Sequence, residues 1–278
     1  MNTKEYKNSI IIANPIYDTV FKRLMENERI AKFFIGTVLE EEVISVKINP
    51  QEFTCRKGET ADPAHEGTGY SIFRIDFMAT IQTKEGERKK LLIEVQKSWD
   101  EEDLMRFRNY LAEQYKKVDR VNGVEIILPI TTIYILGFKL AETECACVKV
   151  ERNYRDMIKG KSHASRASFI EKLTHDSYVI QAGRITDERY STKLDKLLSL
   201  FEQDHFVVEN SEIIKQYPYR PDDDDIQLIT SILHEMVADP KERKEIEKEE
   251  EALRTIDCLF GRKKQRAETY YRRTGESH

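Results

Sequence analysis

Apolar and polar positions along this chain alternate with two periods, and each change of period marks an element. Behind Pro15, Val20, Phe21, Leu24 and Met25 recur at helical spacing, and Asn27 can restart the chain into Ile30, Phe33, Phe34, Val38 and Leu39, so two short helices are expected first. Residues 43–48 read as a strand, and 51–68, rich in Gly, Pro and charge, as a loop. Residues 74–81 and 91–97 read as two strands of a hairpin folding about Glu85 and Gly86. Next, Leu104, Phe107, Leu111, Tyr115 and Val118 form a helical stripe, with Arg106, Tyr110 and Gln114 on the polar face at i, i+4 and i+8. The β-branched, apolar run 126–138 predicts a strand buried on both faces, as in a mixed sheet covered by helices.

The C-terminal third follows another pattern. Residues 169–201 read as helical, with the stripe Leu194, Leu197, Leu198 and Phe201 and turn signals at Ala182 and Gly183. Pro218, Pro221 and the aspartates 222–225 mark a boundary, after which Ile226, Leu228, Ile229, Ile232, Leu233 and Met236 predict an amphipathic helix. Residues 242–251 are so charged that their helix is expected to protrude or to pair with a partner. The expected organisation is a domain over 1–215 and a charged helical extension over 216–278, in an α/β fold with a mixed sheet flanked by helices.

Composition narrows the class without naming an activity. The 278 residues are 40% hydrophobic and 34% charged, enough for a sizeable core. No apolar run approaches the ~18 residues of a membrane span, and the first residues lack a signal-peptide pattern, so a cytoplasmic protein without a membrane partner is expected. Cys55, Cys145, Cys147 and Cys258 match neither a zinc knuckle nor a redox pair, and His175 reads as structural. A net charge of −5 gives no global attraction for DNA, so any binding must use local basic surface. Residues 149–166 carry six basic side chains against two acidic ones, and Arg152, Arg155, Lys159 and Lys161 are the candidates there. The run from Gly261 has the same balance and reads more plainly as a solvated face.

The hairpin carries the chemistry. An even register sets Asp76 opposite Glu94 or Gln96, gathering two carboxylates and an amide on one face, with Met78 and Leu92 as apolar walls. Carboxylates so placed repel one another unless a cation lies between them, and oxygen ligands favour a hard ion such as Mg²⁺. The plainer reading is a solvated ribbon whose Asp76 pairs with Arg74 or Lys90.

The pattern D-x17-E-x-Q with apolar flanks resembles the PD-(D/E)xK nuclease superfamily. Four stretches, Asn14 to Lys22, the Arg74-Ile75-Asp76-Phe77 strand, Glu94 to Ser98, and Arg106-Phe107-Arg108 with Tyr110, Gln114 and Tyr115, look like its nuclease-family transposases, similar to bacterial recombination-promoting nucleases. The resemblance runs from about Asn14 to around Gln203, includes residues 169–176, and weakens after Pro221. It implies a restriction-endonuclease-like αβββαβ core. Asp76 and Glu94, with the main-chain carbonyl of Val95, would hold Mg²⁺, with Mn²⁺ or Ca²⁺ as alternatives of the same ligand chemistry. Most of the superfamily has lysine where this chain has Gln96, which can orient a water but cannot exchange a proton near neutral pH. Lys97 is expected on the opposite face, and a bulge there, or Lys22, could supply the missing charge. Asp18 is either a further site carboxylate or a first-turn stabiliser of its helix. Arg106, Tyr110 and Gln114 would touch phosphate or brace the carboxylates. The implied activity is Mg²⁺-dependent hydrolysis of phosphodiester bonds in DNA, promoting recombination or mobile-element transfer, with a homodimer compatible. The alternative is a DNA-binding or regulatory protein that keeps the nuclease fold around a degraded site, and Gln96 is its strongest argument.

Overall fold

The computed structural model describes residues 9–49, 52–56, 70–97, 101–121, 123–163, 167–185, 191–203, 207–208, 211–218 and 223–255. The expected basic run from Gly261 and much of the loop expected over 51–68 lie outside them. The chain begins with β1 (Ser9–Ala13), α1 (Asp18–Met25), α2 (Glu28–Leu39) and β2 (Val43–Ile48), then forms the hairpin strands β3 (Glu52–Arg56) and β4 (Tyr70–Arg74). Strands β5 (Phe77–Thr83) and β6 (Arg88–Gln96) lead into α3 (Glu101–Lys116), the small hairpin β7 (Asp119–Val121) and β8 (Val124–Ile126), and β9 (Ile130–Leu136). After β10 (Cys147–Val150), β11 (Tyr154–Arg155), β12 (Ser162–His163) and α4 (Ser168–Glu171) come β13 (His175–Gln181) and α5 (Lys193–Ser199). Strands β14 (Val207–Val208) and β15 (Ser211–Pro218), then α6 (Asp224–Ala238) and a helix α7 over 240–255, complete it.

Six strands form a mixed sheet in the order β10-β13-β9-β6-β5-β2, with β13, β9 and β6 parallel and the rest antiparallel. The expected order helix, three strands, helix, strand is present as α2, β2, β5, β6, α3 and β9, with the β3–β4 hairpin inserted. Alternation splits the sheet's side chains between two layers. Phe77, Ala79, Ile81, Leu91, Ile93, Ile133 and Ile135 join the main core under α1, α2, α5 and α6. Met78, Leu92, Ile130 and Tyr134 pack on the other face against Phe107, Tyr110 and Leu111 of α3.

The hairpin's register comes from its turn. Gly86 donates to the carbonyl of Thr83, and Thr83 donates to that of Glu87, enclosing a three-residue loop whose last residue, Gly86, has φ +86°. Glycine adopts that left-handed conformation at no steric cost, as such loops require. The resulting pairs run from Gln82 with Arg88 to Phe77 with Ile93.

Three expectations are corrected. The strand expected from residue 74 breaks at Ile75 and Asp76, where β4 leaves to pair with β3 and β5 begins. The stretch expected to be helical over 169–201 contains β13, because Tyr178, Ile180 and Gln181 fill a strand slot beside β9. On α3 the buried stripe is Phe107, Tyr110, Leu111 and Gln114, while Leu104, Tyr115 and Val118 are exposed. Helical spacing fitted both faces, and packing under the sheet selected the one that sets Tyr110 beside Phe107 against Met78, Leu92 and Tyr134.

The charged C-terminal helix folds back onto its own chain. Strand β15 pairs with β1, and Ile226, Ile229, Leu233, Met236 and Ile246 belong to the same core cluster as α1 and α2, so these two C-terminal helices share that core. Ile246 is 1% exposed, and truncating a buried isoleucine typically costs about 2–5 kcal/mol. Ile246→Ala is therefore expected to lower the urea midpoint of one cooperative transition reported equally by probes in both halves. A separate early transition confined to the C-terminal helices would show that they fold apart.

Candidate active site

The site forms where β5 peels away from β6. In the antiparallel ladder Thr83 and Glu87 are a hydrogen-bonded pair, so 81/89, 79/91 and 77/93 are too, and Ile75 with Val95 would be next. The chain bends at Asp76 instead, and the Asp76 carboxylate Oδ2 accepts the Val95 N–H at 2.6 Å. A side chain thus takes the place of the missing ladder acceptor. The carbonyl of Val95 faces the same edge as its N–H.

Extending the register sets Asp76 level with Glu94, as expected of the two carboxylates. Glu94 is 2% exposed, on the face shared with Leu92 and Tyr134, and its Oε1 accepts from the Arg106 guanidinium at 3.0 Å. Asp76 keeps some surface as a residue, but its carboxyl is enclosed. Burial, the negative charge of Glu94 and that of Asp18 push its pKa well above the ordinary carboxylate range, against the opposing Val95 N–H and Lys22. Gln96 follows Glu94 on the same face, and its carbonyl accepts from Gly137 at 2.8 Å. A Cβ at Gly137 would lie 2.6 Å from the Lys97 carbonyl oxygen, so only glycine lets the end of β9 press against the end of β6 here.

Asp18 reaches the cluster from the start of α1. Its Oδ2 pairs with Lys22 at 2.5 Å, and its Oδ1 is buried with no hydrogen-bond partner among the described residues. It does not cap its own helix. Glu249 of α7 accepts the Asp18 and Thr19 N–H groups at 2.7 and 2.9 Å, so a carboxylate from the far end of the chain satisfies that terminus.

Lys97 lies on the opposite face, as strand alternation dictates. Its ammonium donates to the Tyr17 hydroxyl at 2.6 Å and to Glu250 at 2.7 Å, pairs with Glu212 at 2.6 Å, and sits 4.5 Å above the Tyr17 ring. Tyr17 also donates to Glu250. Burial would raise the Glu250 pKa, but bonds from Lys97, Tyr17 and Arg254 bring it below the usual carboxylate value. Lys97 therefore joins α1, β6, β15 and α7, and it does not face Asp76 and Glu94.

The nucleic-acid candidates divide. Arg106 braces Glu94, whereas Tyr110 and Gln114 are buried under the sheet, which corrects their expected place on a polar face. Arg152 is held by Glu171 at 2.6 Å and Asp176 at 2.9 Å and also donates to Thr174, so it ties α4 to β13 and is not available to phosphate. Arg155, Lys159 and Lys161 stay exposed. His175, expected to be structural, bonds Tyr115 at 2.7 Å. Sequence reading missed Glu249, Glu250 and Tyr134. Tyr134 pairs with Glu94 in the ladder, and alternation within 126–138 could have placed it on that face; nothing local distinguishes Glu249 and Glu250 from their charged neighbours.

The group fits a divalent cation in chemistry. The charge of Glu94 adds to the cost of ionising Asp76, Asp18 adds a buried oxygen with no hydrogen-bond partner among the described residues, and the Val95 carbonyl faces the same edge. Among the described residues no three His, Cys, Asp or Glu side chains form a ready metal-binding group.

A carboxyl with a raised folded-state pKa binds its proton more tightly in the folded chain. Its contribution to stability is complete below the unfolded value, about 3.9, and is lost as pH rises through the folded value. Asp76→Asn should therefore melt at a higher temperature than wild type near pH 8, with the difference shrinking toward pH 4. Mg²⁺ should restore wild type, by about 2.7 kcal/mol at a hundredfold excess over its dissociation constant, and leave the mutant unchanged. Parallel melting curves of the two proteins across pH, or equal responses to Mg²⁺, would remove Asp76 from a strained carboxylate group. No family model, no curated protein and no solved structure matches this chain.

Proposed function

We propose that the chain is a Mg²⁺-dependent deoxyribonuclease of PD-(D/E)xK type, hydrolysing phosphodiester bonds in DNA in the setting of recombination or mobile-element transfer. The observation that carries this reading is the enclosed Asp76–Glu94 pair at the end of the β5–β6 ladder, with Asp18 close enough to disfavour ionisation of Asp76. The helix and strand order around the pair supports it. Asp76, Glu94 and the Val95 carbonyl would hold the ion. When bound, a divalent cation neutralises a scissile phosphate and lowers the pKa of an attacking water. The protein supplies the rest. Arg106 holds Glu94 in place by donating to one of its carboxylate oxygens. Gln96, next along the same face, orients water through its amide and exchanges no proton. Exposed Arg155, Lys159 and Lys161 hold backbone phosphates.

A specific observation favours a second reading, a DNA-binding or regulatory protein on the same fold. No lysine faces the carboxylates from β6, since position 96 is glutamine and Lys97 is committed to Tyr17, Glu212 and Glu250. Cleavage decides between them.

Asp76→Asn and Glu94→Gln are each expected to abolish Mg²⁺-dependent nicking of supercoiled plasmid, with circular dichroism unchanged, and Gln96→Lys to keep appreciable activity. Wild-type protein that binds DNA but never nicks it with Mg²⁺, Mn²⁺ or Ca²⁺ would establish the second reading. Neutralising Arg155, Lys159 and Lys161 should weaken DNA binding and reduce the salt slope by about 0.9 per lost phosphate contact. Arg152→Ala should instead lower thermal stability. An unchanged slope in the triple variant would move the DNA to another surface.

A further inference from the structure

A cavity lies on the α3 face of the sheet, away from the carboxylates. Its volume is about 580 Å³, and it opens between β2, β5, the end of α3 and the β7–β8 hairpin. That size suits small-molecule sites, which run about 300–1,000 Å³. Glu94 and Lys90 point to the same side of β6 but are four residues apart, about 13 Å along the strand, with Leu92, Met78 and Phe107 packed between them.

The lining is unbalanced in charge. Lys47, Arg88, Lys90, Lys117 and Arg120 face it with Asp119 as the one carboxylate among its lining residues. Lys90 is nearly buried and is neutralised by that aspartate at 3.0 Å, while its ammonium also donates to the Gln114 carbonyl. Arg120 also pairs with Glu125 at 3.1 Å and Arg88 donates to Gln82, so the cavity is ringed by five cations with one carboxylate of its own. Burial first, then repulsion from Lys90, lowers the Lys117 pKa against the opposing charges of Glu113 and Asp119.

A second, independent observation points to an acceptor. Gln114, 3% exposed, lines this cavity, and its side-chain amide nitrogen is buried without a hydrogen-bond partner among the described residues. Burying a donor without an acceptor is costly, and a ligand oxygen would relieve that cost. Met78 and Leu128 supply apolar wall for a ring or chain.

We propose that this cavity binds a phosphate monoester of mononucleotide size, its phosphate met by Lys117, Arg88 and the Gln114 amide and its organic part set against Met78 and Leu128. The site is separate from the carboxylates and stands whether or not they cleave DNA. A polynucleotide is the weaker occupant, because the unmet donor lies in the wall of the cavity and not on the open surface that a duplex backbone rides over.

Titration calorimetry on the full chain tests this, with adenosine 5′-monophosphate, inorganic phosphate and adenosine as probes. The monophosphate is expected to bind saturably, phosphate more weakly, and adenosine not at all. Lys117→Gln and Arg88→Gln should each weaken the monophosphate by roughly tenfold or more, the scale of one charge-assisted contact. Gln114→Leu should weaken it as well, and the exposed Lys117 variant keeps the test decisive if that buried substitution perturbs the fold. Asp76→Asn should bind as wild type does. Absence of saturable binding by the monophosphate, affinity unchanged in Lys117→Gln, inorganic phosphate binding as tightly as the ester, or loss of binding in Asp76→Asn would each overturn the proposal.

Discussion

The register of the β5–β6 ladder is the constraint on which the rest depends. The Gly86 turn sets the pairing, strand alternation carries it to Asp76 and Glu94, and the Asp76 carboxylate closes the ladder on the Val95 N–H. Slipping one residue would drive Glu94 into the aliphatic layer of Phe77, Ala79 and Ile133 and turn Ile93 toward α3. Such a slip buries a charge among apolar side chains, so the core enforces the same register that the turn selects. Fold and site are specified together, and neither can drift without the other.

The C-terminal helix extends this coupling to α1. Glu249 satisfies two N–H groups of the α1 terminus, and Glu250 ties Tyr17 and Lys97 beside it. Had Asp18 capped its own helix, its carboxylate would have turned back on the backbone. Because capping comes from Glu249, Asp18 is left to face Lys22 and Asp76. The placement of one acidic side chain thus rests on a contact spanning 231 residues of sequence, so a charged helix that looks dispensable in the sequence helps shape the candidate site.

What the sequence revealed follows from how local each determinant is. The two N-terminal helices, β2, the hairpin turn, β9 and the helix beginning near Ile226 were legible because period and punctuation lie within a few residues, as with Asn27, whose side chain accepts from Arg29 and Ile30. That Asp76 would stand opposite Glu94 or Gln96 was legible for the same reason, and the register of the ladder selects Glu94. Strand β13 was not, since its slot beside β9 exists only once the sheet has formed, and the face of α3 was decided by Tyr110 and Gln114 packing under that sheet. Arg152 looked like part of a basic surface because its partners, Glu171 and Asp176, come 19 and 24 residues later. The strut from Glu249 and Glu250 had no local signal.

Charge balance within the site bears on which reading of it holds. Asp18, Asp76 and Glu94 bring three potential negative charges, and Lys22 pairs with Asp18 and Arg106 with Glu94. Fully ionised, the group would carry one net negative charge in a poorly solvated place, which is why Asp76 favours its proton. With that proton the cluster is neutral and self-sufficient, as a structural or regulatory site would be. A divalent ion in exchange for the proton leaves one net positive charge, the complement of a single phosphodiester. Under the proposed reading, the choice between the two states would be set by how readily Asp76 releases its proton.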